Sequence, residues 1–166
     1  MDAATAPYLA GALLLVAAGL AKAVEPLSLV RALRAAGLPV RAPLLARWVR
    51  VFAALEAALG GLALVRPGTL PAIGVALSYA GFTAFVLRAL RSGSPLASCG
   101  CFGKTDTPPT PGHAAVTAVI AVAAVLIALG GAAPRDLPLA VVSAVLAYLT
   151  YLALAMLPLA SRRALR

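Results

Sequence analysis

Apolar residues dominate five stretches of the chain, at about 7–23, 50–65, 70–87, 114–133 and 137–160, and polar residues collect between them. No stretch alternates in the way a barrel strand does. Runs of roughly 16 to 24 residues, rising about 1.5 Å each, cross a hydrocarbon core of about 30 Å once flanking Lys and Arg side chains snorkel outward. Small residues such as Ala57, Gly61, Gly74 and Ser78 fall where helices in lipid pack closely. The pattern therefore predicts an all-α polytopic membrane bundle of four to five transmembrane helices in a single integral membrane domain covering 1–166. The 50–65 stretch carries the weakest signal, because Arg47 and Arg50 sit at its start and Glu56 lies inside it.

The connection after the first stretch has an element of its own. Pro26 stands at a plausible first helical position, Gly37 where a left-handed terminator belongs, and Pro39 just beyond. Between them Leu27, Val30 and Leu33 recur at helical spacing with Arg31 and Arg34 on a flank. This predicts a short interfacial helix whose basic residues meet headgroups and whose apolar stripe meets acyl chains or the bundle. The first stretch ends in Ala21-Lys22-Ala23, which looks like a signal cleavage site, but residues 1–7 carry no Lys or Arg. A retained helix is the expectation.

Composition narrows the class further. The 166 residues are 63% hydrophobic and 11% charged, with a mean hydropathy of +1.00, which excludes an ordinary soluble domain and a disordered chain alike. A net charge of +9 would suggest nucleic acid in a soluble protein, yet only 5% of residues are aromatic and the cations sit between apolar runs. No nucleic-acid partner is expected; the charge orients the chain in lipid. Of the 14 Lys and Arg residues, 12 fall on one side of a five-span topology, and only Arg66 and Arg135 on the other. The positive-inside rule then puts the N-terminus outside and the C-terminus in the cytoplasm, as a multi-pass protein of the cell membrane.

Chemistry concentrates between the third and fourth stretches, in the loop 92–112. Both cysteines of the chain, Cys99 and Cys101, lie there, separated by Gly100 and followed by Gly103 and Lys104. A glycine spacer lets the two sulfurs meet, and the small ring they would close is easy to reduce. So short a loop gives little entropic stabilisation, which points to redox or metal chemistry before stapling. Arg88, Arg91 and Lys104 would favour the thiolate, or simply meet headgroups. Glu56 is the one carboxylate inside an apolar run, and an ionisable group there is a functional candidate by default. Alternation of spans places Lys22, Glu56, Cys99, Cys101 and His113 in the same half of the bundle. Lys22 and Glu56 could then form a buried ion pair that fixes packing, or a proton relay beside a redox centre. His113, the only histidine, could exchange a proton, join the cysteines as a metal ligand, or serve as an ordinary polar residue at a helix start. Tyr148 and Tyr151 could line a pocket for a flat ring or pack, and Trp48 beside Arg47 and Arg50 fits an interfacial anchor.

These residues carry a family resemblance. The run Ser98-Cys99-Gly100-Cys101-Phe102-Gly103 after a third span resembles the signature of the MauE family, methylamine-utilisation membrane proteins grouped with DoxX-like redox proteins. Gly19-Leu20-Ala21-Lys22 with Pro26, and Leu55-Glu56-Ala57-Ala58-Leu59-Gly60, match the same family in order and spacing over nearly the whole chain. The resemblance implies a small membrane protein that supports disulfide formation or electron transfer, usually with a thioredoxin-like partner. In the family's founding members it helps mature a disulfide-rich dehydrogenase subunit. The layout is also similar to vitamin K epoxide reductase, which uses Cys-x-x-Cys and a second shuttle pair. With Cys-x-Cys and no second pair, this chain needs shuttle cysteines from a partner. Where family members often carry Arg-Asn, His113 stands here.

Three readings follow. In the first, Cys99 and Cys101 cycle between dithiol and disulfide, with a thiol partner and a quinone in the bundle as electron acceptor, the chain being a thiol-disulfide oxidoreductase or an accessory subunit of one. In the second, Cys99, Cys101 and His113 bind a soft metal, copper or zinc. In the third, the loop docks a partner without catalysis.

Overall fold

The computed structural model describes residues 3–35, 37–91, 110–130 and 137–164, with side chains as far as residue 153 except those of Ala35 and Leu137. Among these the chain is all helical: α1 (Thr5–Val24), α2 (Leu27–Ala35), α3 (Ala42–Val65), α4 (Thr69–Arg91), α5 (Pro111–Gly130) and α6 (Leu137–Ala164). The helices α1, α3, α4 and α5 are long and apolar enough to cross a membrane, and α6 has a shorter apolar stretch, Pro138–Ala153. The protein is a multi-pass membrane bundle.

The central element is α1, which touches α3, α5 and α6. Half of its apolar window is buried, more than in any of the other three long apolar helices. Its buried face, through Tyr8, Ala12 and Leu15, meets Ala63 of α3, Ala72 and Val75 of α4, Ile120 and Ala124 of α5, and Leu139 and Ala147 of α6 in one core. Most of these residues are Ala or Val, so stability rests on close backbone approach more than on bulky side chains. Lipid offers apolar groups an equally good environment, so dispersion at short range is what association can gain. Large exposed side chains, among them Leu55, Leu62, Leu77, Val122 and Leu129, face outward, as a bilayer requires.

Glycine sets the tightest seam. A Cβ on Gly19 would lie 2.6 Å from the Ala53 carbonyl oxygen and 2.7 Å from the Ala57 nitrogen, and one on Gly60 would lie 2.6 Å from the Ala12 carbonyl oxygen. The helices α1 and α3 are therefore antiparallel and in near backbone contact at two levels. Of the small residues expected at packing positions, Ala57 faces Gly19 and Gly74 faces Leu59, but Gly61 has open space around its Cβ position. The 53–57–60 register puts Gly60 on the α1 face and turns Gly61 away.

Helix ends differ from the apolar runs where amphipathic turns extend them. The third helix starts eight residues before the 50–65 stretch, with extended Arg41 before it and Pro43 in its first turn. Leu45 and Val49 on this extension bury against Val30 of α2, with Leu29 and Leu33 beside it. Ala32 of α2 packs on Ala89 and Phe85 of α4. Of the expected stripe of α2, Val30 and Leu33 thus pack inward, but Leu27 is exposed on the outward face with Arg31 and Arg34. Gly37, at φ +92°, ends this segment in the backbone conformation that glycine adopts without strain.

Candidate functional site

The ends of α1, α4 and α6 and the starts of α3 and α5 share one end of the bundle, the basic end, where α2 packs against α3 and α4. Here the structure brings Lys22 and Glu56 together: the Lys22 ammonium donates to Glu56 Oε2. The register follows from the Gly19 contact. Gly19 lies one turn before Lys22, and Ala53 and Ala57 flank Glu56. Side chains on a helix lean toward its N-terminus, so in an antiparallel pair Lys22 leans into the membrane while Glu56 leans back toward the basic end, and the two meet. The Lys22 side chain is only 4% exposed and that of Glu56 is 20% exposed. A lysine two residues from a helix end would ordinarily snorkel out; this one is turned inward and sealed by neighbouring elements.

Phe82 of α4 forms the floor. Lys22 Nζ stands 4.8 Å from its ring centroid, within cation–π range. Tyr79, one turn earlier, meets Phe82 edge to face at 5.6 Å, and its hydroxyl donates to the Gly11 carbonyl at 2.7 Å. Gly11 leaves room for Ile120, since a Cβ there would meet the Ile120 Cγ2 at 2.3 Å. The residue after Phe82, Thr83, donates to Thr117 Oγ1 of α5 at 2.8 Å, and Thr117 donates to the His113 carbonyl at 2.8 Å. A hydrogen-bonded seam therefore runs from Thr83, the neighbour of Phe82 on α4, to the start of α5.

At that start the sequence Thr110-Pro111-Gly112-His113 forms a reciprocal cap. The His113 N–H reaches Thr110 Oγ1 at 3.4 Å, while the Thr110 N–H donates to His113 Nδ1 at 3.3 Å. Threonine before the helix with histidine three residues on thus takes the place of the usual Ser/Thr and Glu/Gln pair, with Pro111 at the first helical position. His113 is buried, at 4% exposure, and Nδ1 is occupied by Thr110, whose hydroxyl also lies 2.7 Å away. The capping role accounts for its position at the helix start.

Other candidates fall elsewhere. Of the two tyrosines that could line a pocket or pack, Tyr148 is 62% exposed. Tyr151 packs, half-buried, against the central core. Trp48 is exposed and tilted against Phe52 with centroids 6.3 Å apart, in keeping with an interfacial position. Cys99, Cys101 and Lys104 lie outside the described residues. Among the described residues no cluster of three or more His, Cys, Asp or Glu could hold a metal. Sequence reading missed Tyr79, Phe82, Thr83 and Thr117. The spacing 79–82–83–86 on one face of α4 is the signal available for the first three.

A family model described as methylamine utilisation protein MauE matches residues 2–134. The chain belongs to the MauE family. The matched region holds α1 through α5, and so both sides of the Gly19 seam and the Lys22–Glu56 pair. No curated protein and no solved structure matches the chain. For this MauE protein the geometry supplies one buried ammonium, one carboxylate with a second oxygen to spare, and an aromatic floor, at the end of the bundle where the α4–α5 connection leaves and re-enters.

Proposed function

We propose that this MauE protein is a membrane thiol/disulfide redox protein, an oxidoreductase or an accessory subunit of one, working through Cys99 and Cys101. The observation that carries the reading is the Ser98–Gly103 run, which holds both cysteines and joins the basic-end termini of α4 and α5. In the oxidising direction a partner thiolate attacks the Cys99–Cys101 disulfide, a mixed disulfide forms, and a second partner thiol displaces it. The partner leaves as a disulfide and the cysteines as a dithiol, having taken up two electrons and two protons. The partner supplies its own cysteine pair, as a thioredoxin-like protein does. A quinone reduced to quinol would accept the two electrons and two protons; Lys22 Nζ, with donors beyond the one given to Glu56, and the Phe82 ring have the chemistry to hold its carbonyl and ring. A part in methylamine utilisation, as maturation factor for a disulfide-rich subunit, rests on the family alone.

Differential alkylation tests the redox couple. Both thiols should be free under mild reductant and protected after oxidation, with a midpoint above the roughly −300 mV of structural disulfides. Cys99→Ser or Cys101→Ser should abolish exchange without lowering protein level, and one of them should trap the mixed disulfide. Stoichiometric copper or zinc lost from either variant, with no exchange in the parent, would overturn the reading.

We infer from the charge asymmetry a cysteine loop on the cytoplasmic side of the cell membrane and an N-terminus outside. Reporter fusions after Gly37, Arg66, Lys104, Arg135 and Arg166 should read cytoplasm, outside, cytoplasm, outside and cytoplasm. The pair would then exchange with a cytoplasmic thiol system. A fusion at Lys104 reading outside would reverse this and fit oxidation of exported proteins.

A further inference from the structure

The basic end carries Arg31 and Arg34 on α2, Arg41 and then Arg47 and Arg50 on α3, and Arg88 and Arg91 on α4, every one exposed. Among the described residues the one ion pair is Lys22–Glu56, and no described carboxylate pairs with these guanidinium groups. Of the acidic residues described at this end, Glu56 is held by Lys22 and Glu25 is half-buried. Like charges crowded on the ends of three packed helices repel one another and call for counter-anions. The described exposed cations of this surface are all arginines. Arginine's planar fork suits bidentate contact with phosphate oxygens, whereas a lysine offers a point charge.

The apolar neighbours indicate what bears the phosphate. Leu27 lies on the same face of α2 as Arg31 and Arg34, and Leu44, Trp48 and Val51 are exposed around Arg47 and Arg50. An occupant of this surface must satisfy guanidinium groups and long apolar side chains within one or two helical turns. A soluble acidic polypeptide meets only the first demand. We propose that the α2–α3–α4 surface at the basic end is a binding site for anionic glycerophospholipids, with the headgroup phosphates on the arginines and the acyl chains along Leu27, Leu44 and Trp48. The inference is independent of the thiol chemistry.

Trp48 is the only tryptophan in the chain, so its fluorescence reads this surface directly. The full chain is reconstituted in vesicles of phosphatidylcholine, and brominated phosphatidylglycerol or brominated phosphatidylcholine is titrated in as quencher. Phosphatidylglycerol should quench Trp48 at several-fold lower mole fraction, and added salt should narrow the difference. Arg47→Gln with Arg50→Gln should remove most of this several-fold preference, bringing the two lipids close to equal quenching. Arg66→Gln, at the opposite end, should leave it unchanged. Equal quenching of the parent chain by the two lipids would overturn the proposal, as would preserved selectivity in the double variant. Displacement of phosphatidylglycerol by soluble polyglutamate at equal charge would assign the surface to an acidic protein and also overturn it.

Discussion

Replacing Lys22 by Met, or Glu56 by Leu, is expected to destabilise the bundle by about 3–5 kcal/mol, because each change leaves one unpaired charge in low dielectric. The pair is sealed from solvent on the lysine side and only 20% exposed on the glutamate side, so water cannot fully take the place of a lost partner. The double variant should recover most of the loss, since two apolar side chains of similar volume carry no desolvation cost. Thermal unfolding of the purified protein in detergent, run as a double-mutant cycle, measures the coupling. Additive single costs would mean that the two residues contribute separately. Glu56→Gln separates packing from chemistry: normal protein level with loss of thiol exchange would assign Glu56 a proton-handling role beside the cysteines.

The seam that creates this pair should be as sensitive. Gly19→Leu is expected to cost about 2 kcal/mol or more, because the added side chain meets the Ala53 carbonyl and the Ala57 nitrogen, which are backbone and cannot rotate aside. Gly60→Leu should behave alike against Ala12 and Val16. Gly61→Ala, with nothing within 4 Å, should be neutral or slightly stabilising through helix propensity. Separating α1 from α3 also moves Lys22 away from Glu56. The coupling energy between them should therefore fall in a Gly19→Leu background, read from the same cycle. Unchanged coupling would show that the ion pair is held by other contacts, such as those of Lys22 with Phe82.

Several site features were legible in the residues because each rests on a local or one-dimensional signal. A carboxylate within an apolar run must find a partner, and Lys22 was the cation at the right depth. Pro26, Gly37 and Pro39 bracketed α2 through backbone chemistry that needs no tertiary contact. His113 was ambiguous for the opposite reason. Its capping contact with Thr110 is local, but histidine in the place of Glu or Gln hides the capping box from pattern reading. The pairing of Thr83 with Thr117 joins residues 34 apart, and neither hydroxyl differs in sequence from one that bonds only to its own helix.

What the amino-acid order determined alone is the solvent, the element type and the sidedness of charge. Hydropathy and helical length decide whether a segment enters lipid, and arginine placement decides which end is basic, before any helix meets another. Tertiary structure decided which glycine of the Gly60–Gly61 pair faces α1, how far α3 extends to receive α2, and that Lys22 turns inward where a terminal lysine would snorkel. Each of these depends on the rotation of one helix against its neighbour. In an apolar solvent, hydrophobicity cannot set that rotation; only close contact and the pairing of polar groups can.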